Sequence, residues 1–396
     1  MTENRPGIDL TVPLTDPAFY ADDPYPLFAR LRAEAPIAWN EELGFWALSK
    51  HADVLEVSKD PYRFCSGRGI LLMDLRRELP DVPGALLYVD PPEHGRYRRL
   101  VQPAFAPSKI RALEPVIRQR ARVLLDHVSP NEPVDVVEAL AVPFPLLVIA
   151  DMLGVPERDW PDMRRWTDAL IELATEPSEE NNAIAAEMAT YFLERIAERA
   201  VDPGDDLVST LATVTVDGEK LDEAELMMFC GQLLVAGNET TRNLISAGLV
   251  ALAEHPDQWE RLVADAELIS RAVEELLRWT TPVISFMRTA TVDTEIGGLP
   301  IAEGDHLLLL YASANRDEEV FGPTADQLDV GREPNAQLAF GFGEHYCIGA
   351  ALARLEGRIM LEELLQRFRR VEPAGPVTRL ASTVIAGITS APLVFS

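Results

Sequence analysis

The sequence has little positive charge and few cysteines, and it lacks a hydrophobic run long enough to cross a membrane. Its 396 residues include 36 Lys and Arg against 64 Asp and Glu, a formal charge of −28. That balance argues against nucleic acid or an anionic membrane as a partner, because binding either one needs clustered positive charge. The longest apolar run, residues 139–150, is too short to span a bilayer and contains two prolines, so it predicts buried core.

The cysteine content excludes two classes of small protein. The chain has three cysteines and no C-x-x-C pair, which rules out a disulfide scaffold and a zinc ribbon. A low, odd number of cysteines fits a reducing compartment. The polar first residues, MTENRP, predict neither a signal peptide nor a membrane anchor. We therefore expect a cytoplasmic protein.

The pattern along the chain predicts one α-rich domain. Apolar residues make up 47% and charged residues 25%, and we find no internal repeat. We expect a single domain over residues 1–396, whose first residues, about 1–25, are Pro-rich and run irregularly over the surface. Helical periodicity dominates and strand-like pieces are short, so the predicted fold class is mainly α with small β-sheets.

The longest predicted helix covers residues 221–254. Asp222 and Glu225 have the spacing of an N-terminal capping box, and Pro256 follows the last turn. The centre, residues 231–237, is almost entirely apolar, which predicts a buried helix that crosses the domain. Other helices are predicted at 26–35, 51–58, 268–279 and 349–369, and strands at 45–48, 288–292, 294–296 and 306–311.

A glycine-rich segment places Cys347 directly before the last predicted helix, in the sequence FGFGEHYCIG at 340–349. The glycines let the backbone approach closely and adopt left-handed conformations. A cysteine at a helix N-terminus lies at the positive end of the dipole, near free N–H groups, and both favour the metal-binding thiolate. The alternative is a buried structural cysteine in a turn, and the flanking pattern argues against it.

This segment is similar to the cysteine loop of the cytochrome P450 superfamily, F-x-x-G-x-H/R-x-C-x-G. Phe340 is the first residue of the motif in this sequence and Gly349 is the last. The resemblance implies that haem b is the cofactor and that Cys347 is the thiolate ligand of its iron. It also implies that His345 hydrogen-bonds a haem propionate. Electron donation by a thiolate favours cleavage of the O–O bond.

The apolar centre of the long helix is interrupted by AGNETT at 236–241. Ala236, Gly237 and Thr240 share one helix face, where Gly237 leaves room for a flat cofactor and a small ligand. The Thr240 hydroxyl can donate to the carbonyl of Ala236 and bend the helix. A polar patch on a surface helix is the alternative, and the apolar flanks argue against it.

The same segment resembles the family's A-G-x-D/E-T-T/S sequence. The resemblance implies that Ala236 and Gly237 contact the cofactor. It also implies that Thr240 stabilises the iron-bound peroxo group while Glu239 relays protons from solvent. An acid beside an alcohol suits the delivery of the protons that O–O cleavage needs. Peroxide-driven members of the family lack the pair, so its presence favours O₂ with electrons from a partner.

Glu275 and Arg278 lie three residues apart on a predicted helix with apolar neighbours. The simplest interpretation is a surface ion pair, worth about 0–1 kcal/mol. The pattern also resembles the family's E-x-x-R, which Arg332 in the sequence DVGR completes. The resemblance implies a buried triad that serves folding and haem incorporation and takes no part in the chemistry.

Three further residues are expected to bind the haem propionates. The sequence DPPEHGRYRR at 90–99 is similar to the family's D-P-P-E-H-x-x-x-R segment, which implies that His94 and Arg98 bind propionates. Arg288 fits the strand arginine that contacts the other propionate. Propionates are carboxylates, and the forked donors of arginine suit them.

The regions expected to shape a substrate pocket are mostly aliphatic. They are residues 70–87, 233–237, 283–286 and 385–388, and the predicted pocket residues are Leu233, Val283, Ile284, Phe286 and Ile388. An oily substrate is implied, such as a terpenoid, a fatty-acid or sterol-like side chain, or an alkyl aromatic. Arg76 and Arg77 could bind a substrate carboxylate, although a solvated loop face is the simpler interpretation.

Four arginines are expected on the sulfur side of the haem: Arg96, Arg99, Arg354 and Arg358. A basic patch on so acidic a chain suits an acidic iron–sulfur ferredoxin. We therefore predict a monomeric haem-thiolate monooxygenase that inserts one atom of O₂ into a C–H bond. Its electrons would come from NAD(P)H through a ferredoxin reductase and a ferredoxin. Two alternatives stay open, a haem sensor or carrier without turnover and a peroxygenase.

Overall fold

The structure is a computed structural model that describes residues 13–76, 84–175 and 178–396. Helices predominate in these ranges and the strands form small sheets, which confirms the predicted fold class. The helices are α1 (Pro17–Ala21), α2 (Tyr25–Glu34), α3 (His51–Lys59), α4 (Glu93–Val101), α5 (Pro107–Ala112), α6 (Glu114–Leu125), α7 (Pro143–Met152), α8 (Trp160–Thr175), α9 (Glu179–Val201), α10 (Leu207–Thr213), α11 (Glu223–Glu254), α12 (Pro256–Ala264), α13 (Ile269–Thr280), α14 (Tyr311–Ala314), α15 (Glu318–Phe321) and α16 (Ala350–Arg367). Over the described residues, none of these helices combines the length and the apolarity needed to cross a membrane.

The strands are β1 (Ile37–Asn40), β2 (Phe45–Leu48), β3 (Phe64–Cys65), β4 (Pro133–Asp135), β5 (Ser285–Ala290), β6 (Thr294–Ile296), β7 (Leu299–Ile301), β8 (His306–Leu310), β9 (Val371–Pro373), β10 (Thr378–Arg379), β11 (Ile388–Ser390) and β12 (Pro392–Phe395). The largest sheet has the order β1-β2-β8-β5-β3, in which β2 and β8 run parallel and the other pairs antiparallel. A second sheet, β4-β12-β9, ties the C-terminal tail to the segment before α7. The predicted strand at 288–292 is shifted, because β5 begins at Ser285 to pair with Leu310 of β8.

α11 is the longest helix in the described ranges. The Asp222 carboxylate accepts a hydrogen bond from the Glu225 N–H at 2.8 Å, and the Glu225 carboxylate accepts one from the Asp222 N–H at 2.8 Å. This capping box confirms the predicted helix start, and the helix ends at Glu254. Its 32 residues extend about 48 Å at 1.5 Å per residue. Because α11 packs against α7, α9, α13 and α16, it carries its central residues into the core.

The N-terminal segment departs from the predicted irregular conformation, since Pro17–Ala21 form helix α1. Asp16 caps the helix by accepting from the Ala18 N–H at 2.9 Å, and Pro17 occupies the first turn. The Tyr20 hydroxyl donates to the Leu14 carbonyl at 2.9 Å and anchors the turn to a hydrophobic cluster. The prediction is wrong here because Pro17 starts a helix and does not break one.

A buried carboxylate joins α6 to α16. The Glu363 side chain is 1% exposed and accepts hydrogen bonds from Arg118, Arg122 and Arg367. Burial acts to raise the pKa of Glu363, but the guanidinium donors outweigh it and lower the pKa to about 2. The ionised carboxylate therefore stabilises the contact between the two helices.

We expect Glu363→Gln to lower the free energy of unfolding by about 2–3 kcal/mol at neutral pH. A pKa that is lower in the folded state stabilises the fold at higher pH, and this contribution is lost as the pH falls from about 4.5 to about 2. The difference between the wild-type protein and the variant should therefore shrink over that range. Chemical denaturation at a series of pH values measures it, and a difference that does not change with pH would contradict this role.

Candidate active site

The segment around Cys347 forms a tight loop that ends at the first turn of α16. The Cys347 N–H donates to the Phe340 carbonyl at 2.9 Å and closes the loop. Gly341 and Gly343 have φ angles of 68° and 73°, in the left-handed region. A Cβ on Gly343 would also lie 2.1 Å from the carbonyl oxygen of Ser58. The backbone therefore requires glycine at these positions, as the sequence predicts.

The Cys347 side chain is exposed, yet burial of its sulfur raises the pKa of the thiol. Four groups oppose the effect of burial and lower the pKa: the backbone N–H groups of Gly349 and Ala350, and the charges of Arg98 and Arg354. The same groups stabilise a thiolate, which is the form that binds a metal ion.

The AGNETT segment interrupts the buried face of α11. Ala236 is exposed and Thr240 is half-buried, whereas Leu234 and Thr241 are buried. The Thr240 hydroxyl donates to the Ala236 carbonyl at 2.7 Å, which is the predicted contact. The helix therefore presents a small side chain and a hydroxyl oxygen on the face that Ala236 and Thr240 share.

Gly237 lies where α11 packs against α7. A Cβ at this position would lie 2.7 Å from Cδ1 of Ile149 in α7. The missing side chain therefore makes room for the contact between α11 and α7. That Gly237 also clears space for a cofactor and ligand stays a prediction.

The carboxylate of Glu239 is held by its own helix. Glu239 is 8% exposed and accepts hydrogen bonds from Asn243 Nδ2 at 3.3 Å and from Arg242 Nη1 at 3.4 Å. Sequence analysis missed both partners, although their i+3 and i+4 spacing could have identified them. The acid next to Thr240 is thus fixed in position within the core.

Glu275, Arg278 and Arg332 meet in the core. Glu275 and Arg278 are both 0% exposed, and the Arg278 guanidinium donates to Glu275 at 2.7 and 2.8 Å. Arg332 reaches the same carboxylate at 3.1 Å. The two arginines also donate to backbone carbonyls between residues 315 and 327. A surface ion pair is therefore excluded, and the triad anchors the segment that leads to Cys347.

Few acceptors are available to the side-chain donors of Arg98, Arg288 and His94. Arg288 is 6% exposed and donates to the Met287 carbonyl at 2.7 Å. Among the described residues, neither the guanidinium of Arg98 nor the buried Nε2 of His94 has a hydrogen-bond partner. Buried donors usually find acceptors, and the two carboxylates of haem would supply them here. The residues present therefore fit haem, whose iron Cys347 would bind.

The pKa of each histidine of this site lies below the ordinary value of histidine. Their rings, those of His94 and His345, lie 4.4 Å apart. Burial, followed by the charge of His345, lowers the pKa of His94 to about 4. Burial and the nearby charges of Arg288 and Arg98 lower the pKa of His345 to about 3. Neutral imidazoles can donate a hydrogen bond to a carboxylate without adding positive charge, and His345 Nε2 already bonds the Ser66 hydroxyl at 3.1 Å.

Asp90, Glu344 and His345 bring three possible metal ligands within 4.8 Å of one another. The two oxygens of Asp90 accept hydrogen bonds from the backbone N–H groups of Ser66 and Gly67, at 2.7 and 2.9 Å. These contacts account for Asp90 as a residue that holds the loop after β3 against the site.

The predicted pocket residues fall into two groups. Val283 and Phe286 are half-buried, and Leu233 is 8% exposed on α11. Ile284 and Ile388 are 3% and 1% exposed and pack inside hydrophobic clusters. For these two isoleucines the pocket role stays a prediction, because aliphatic character alone does not distinguish a pocket wall from core.

The arginines of the 70–87 loop do not form a recognition site in the described residues. The Arg76 side chain is 64% exposed and lies 3.4 Å from Glu42, which supports the solvated interpretation. Arg77 lies outside the described residues.

Arg96 does not join the predicted basic face. Its guanidinium donates to the carboxylates of Glu219 and Glu225 at 2.9 and 2.8 Å. The Tyr97 hydroxyl donates to Glu225 as well, at 2.9 Å. These contacts tie α4 to the start of α11. The prediction for Arg96 is wrong, because two carboxylates already bind its guanidinium. The sequence did not indicate these acceptors because they lie far from Arg96 along the chain.

Arg354 and Arg358 lie together in a groove between α5, α13 and α16. Arg354 pairs with a carboxylate of α13, and Arg358 pairs with carboxylates of α6 and α16. Arg99 is exposed and has no ion-pair partner in the part of the chain that the structure describes. Arg111, which sequence analysis missed, lines the same groove and is also unpaired within the described ranges.

The sequence and the fold match known proteins along nearly the whole chain. The sequence model of the cytochrome P450 family matches residues 133–388. Linalool 8-monooxygenase of Pseudomonas putida is 37% identical over 398 residues, covering 95% of this chain and 96% of that protein. Methyl-branched lipid omega-hydroxylase of Mycobacterium tuberculosis is 38% identical and covers 93% and 90%. The structure of Mycobacterium marinum cytochrome P450 CYP268A2 in complex with pseudoionone superimposes with a TM-score of 0.87 at 35% identity, covering 99% of this chain and 100% of that chain.

Proposed function

Because the chain belongs to the cytochrome P450 family, we propose that it hydroxylates a C–H bond of a hydrophobic small molecule with electrons from a ferredoxin. Enzymes of this family are monooxygenases that use haem, O₂ and NAD(P)H, the last through redox partners. One observation carries the proposal: Cys347 lies at the start of α16 on the same site as buried donors that lack acceptors of their own. A thiol and a set of carboxylate-binding groups in one site match the two ends of haem.

Haem bound at this site supplies the activation of O₂ at its iron. Cys347 would hold the iron as a thiolate, stabilised by the backbone N–H groups at the start of α16. Arg98, Arg288, His94 and His345 would bind the propionates and fix the orientation of the ring. The triad of Glu275, which anchors the preceding segment, then serves folding and haem incorporation.

Glu239 and Thr240 form the proton-delivery pair of the proposed mechanism. The Thr240 hydroxyl donates its proton to the Ala236 carbonyl, so the lone pairs of its oxygen are free to accept hydrogen bonds from water or a bound ligand. Glu239 precedes Thr240 in α11, and Asn243 and Arg242 hold its carboxylate in place. An acid that exchanges with solvent and an alcohol that orders water together move protons to a buried site.

The substrate that we propose is an oily molecule of the terpenoid or lipid class. The half-buried residues Val283 and Phe286 and the buried Leu233 are apolar, as such a pocket would need. Relatives named for linalool and for methyl-branched lipid, and a structural neighbour in complex with pseudoionone, support the same class. Apolar walls with few polar groups select by shape and hydrophobicity.

The proposed electron donor is an acidic ferredoxin that docks on the groove between α5, α13 and α16. Arg111 lines this groove and has no ion-pair partner among the described residues, and the exposed Arg99 of α4 is a second such cation. On a chain with a charge of −28, such a patch can steer an acidic protein to one face. We also propose that the enzyme acts as a monomer in the cytoplasm, where its three unpaired cysteines would stay reduced.

The proposal is tested first by the carbon monoxide spectrum of the reduced, haem-supplemented protein, which reports a thiolate-bound haem. A screen of terpenoids and fatty acids for displacement of the axial water then identifies ligands. Product formation from the best ligand is measured with O₂, ferredoxin, reductase and NAD(P)H, and in parallel with hydrogen peroxide alone. Haem binding without product in either assay would indicate a sensor or carrier, and equal rates in both would indicate a peroxygenase.

We expect Thr240→Ala to raise the share of electrons released as hydrogen peroxide several-fold and to lower product formation by a similar factor. The variant loses the hydroxyl that orders water beside Glu239, so protons reach the wrong position or arrive late. The measurement is the ratio of product to NAD(P)H consumed. Thr241→Ala is the matched control, since Thr241 is buried next in sequence, and it should keep the wild-type ratio. Unchanged coupling in Thr240→Ala would remove this role.

A further inference from the structure

Two adjacent glutamates of α13 hold different parts of the molecule. Glu275 is fully buried in the triad, whereas the side chain of its neighbour Glu274 is 28% exposed. The Glu274 carboxylate accepts from Nε and Nη2 of Arg354, the latter at 3.1 Å, and from Gln337 Nε2 at 3.0 Å. Gln337 in turn accepts a hydrogen bond from the Ala339 N–H at 2.6 Å. One carboxylate therefore joins α13, α16 and the entry to the cysteine loop.

Arg354 connects this carboxylate to the residues that flank the cysteine. Its Nη1 donates to the Tyr346 hydroxyl at 3.0 Å, and its guanidinium lies 4.5 Å from the centre of the Phe340 ring. Phe340 provides the carbonyl that binds the Cys347 N–H, and Tyr346 directly precedes Cys347. The positive charge of Arg354 is thus held in contact with both sides of the loop.

The charge of Arg354 lies close to the cysteine, because its guanidinium contacts Tyr346 and Phe340 of the cysteine loop. The Arg354 side chain is 35% exposed, and both Arg354 and Glu274 line the groove between α5, α13 and α16. Charges in such a partly buried place interact more strongly than they would in water.

We propose that Glu274 is a positioning residue for the cysteine loop, which fixes and neutralises Arg354 and thereby sets the reduction potential of the iron. The inference rests on the proposed function, because it needs haem bound through Cys347. Groups outside the ligand shell tune a bound metal through charge and through the orientation of its ligands. Glu274 does both, since it carries the charge that balances Arg354 and the oxygens that orient its guanidinium.

The two members of the pair should shift the potential in opposite directions. Glu274→Gln removes a negative charge and leaves Arg354 unbalanced, so an added electron is stabilised and the potential rises. Arg354→Met removes the positive charge and leaves Glu274, so the potential falls. The double variant has neither charge and should lie between the single variants, close to the wild-type protein. A merely structural role would loosen the loop in both single variants and shift them in the same direction.

The experiment is a spectroelectrochemical titration of the purified, haem-loaded proteins without substrate or ferredoxin. Arg358→Met is the matched control, because Arg358 lines the same groove on the same helix and pairs with carboxylates of α6 and α16, not with Glu274. It should shift the potential much less than Arg354→Met does. The carbon monoxide spectrum of each reduced variant shows whether the thiolate ligand is retained.

Opposite shifts that cancel in the double variant, with the thiolate ligand retained, would establish the role of the pair. Equal potentials in all variants, or shifts of the same sign, would overturn it. Loss of the thiolate spectrum in both single variants would overturn it as well, since the pair would then be structural. A wild-type protein that binds no haem would contradict the proposed function itself, and this outcome is visible before any variant is compared.

Discussion

Replacement of Cys347 by serine is expected to abolish monooxygenase activity and to eliminate the thiolate-type spectrum of the reduced carbon monoxide complex. A serine hydroxyl does not ionise under conditions in which the surrounding N–H groups and arginines stabilise a thiolate. Without strong donation from sulfur, the iron loses the ligand that favours cleavage of the O–O bond. Haem retention and the propionate contacts can persist, so absorbance and activity must be measured separately.

Cys230→Ser is the matched control for this experiment. Cys230 is 0% exposed within α11, where a serine hydroxyl can donate to the carbonyl one turn earlier. This variant should keep the wild-type carbon monoxide spectrum. A Cys347→Ser protein with an unchanged spectrum would show that another residue binds the iron, and it would remove the basis of the proposed function.

Glu275→Gln is expected to destabilise the fold by about 3–5 kcal/mol and to reduce the yield of haem-loaded protein strongly. The substitution removes the charge shared by two buried guanidinium groups, those of Arg278 and Arg332. Glu275 also accepts hydrogen bonds from Asn335 Nδ2 at 3.1 Å and from the Asp329 N–H at 2.9 Å. The segment between the triad and the cysteine loop therefore loses several contacts through one change. Thermal and chemical denaturation, together with haem content, measure the effect.

The matched control for Glu275→Gln is Glu34→Gln. Glu34 pairs with Arg30 on the exposed surface of α2, with the side chains 48% and 53% exposed. Loss of such a pair should change the free energy of unfolding by less than about 0.5 kcal/mol. A Glu275 variant that is no less stable than this control would mean that the buried triad contributes nothing to the fold.

Local signals in the sequence were sufficient for the elements that depend on neighbouring residues. The start of α11 is set by Asp222 and Glu225, three residues apart, and the structure has the predicted capping box. The glycines before Cys347 are required by left-handed backbone angles that the motif already implied. The hydrogen bond from Thr240 to Ala236 also lies within one helix turn.

Features that depend on distant residues were not predictable in the same way. Gly237 contacts Ile149 of α7, and nothing near either residue in the sequence indicates that contact. Ile388 is buried in a hydrophobic cluster, and its aliphatic character in the sequence does not show which residues surround it. Arg96 was predicted on the partner surface, and its acceptors at Glu219 and Glu225 come from a loop and helix more than one hundred residues away. Sequence periodicity shows which face is apolar but not what covers it.

The Glu225 carboxylate makes hydrogen bonds with both α11 and α4. It closes the capping box of α11, which carries Thr240, and it also binds Arg96 and Tyr97 of α4, which carries His94 and Arg98. The Glu225 carboxylate therefore holds both the helix whose residues would bind the propionates and the helix whose threonine would deliver protons. Evolution or engineering that alters this carboxylate therefore changes cofactor alignment and oxygen chemistry together, and neither can be tuned there alone.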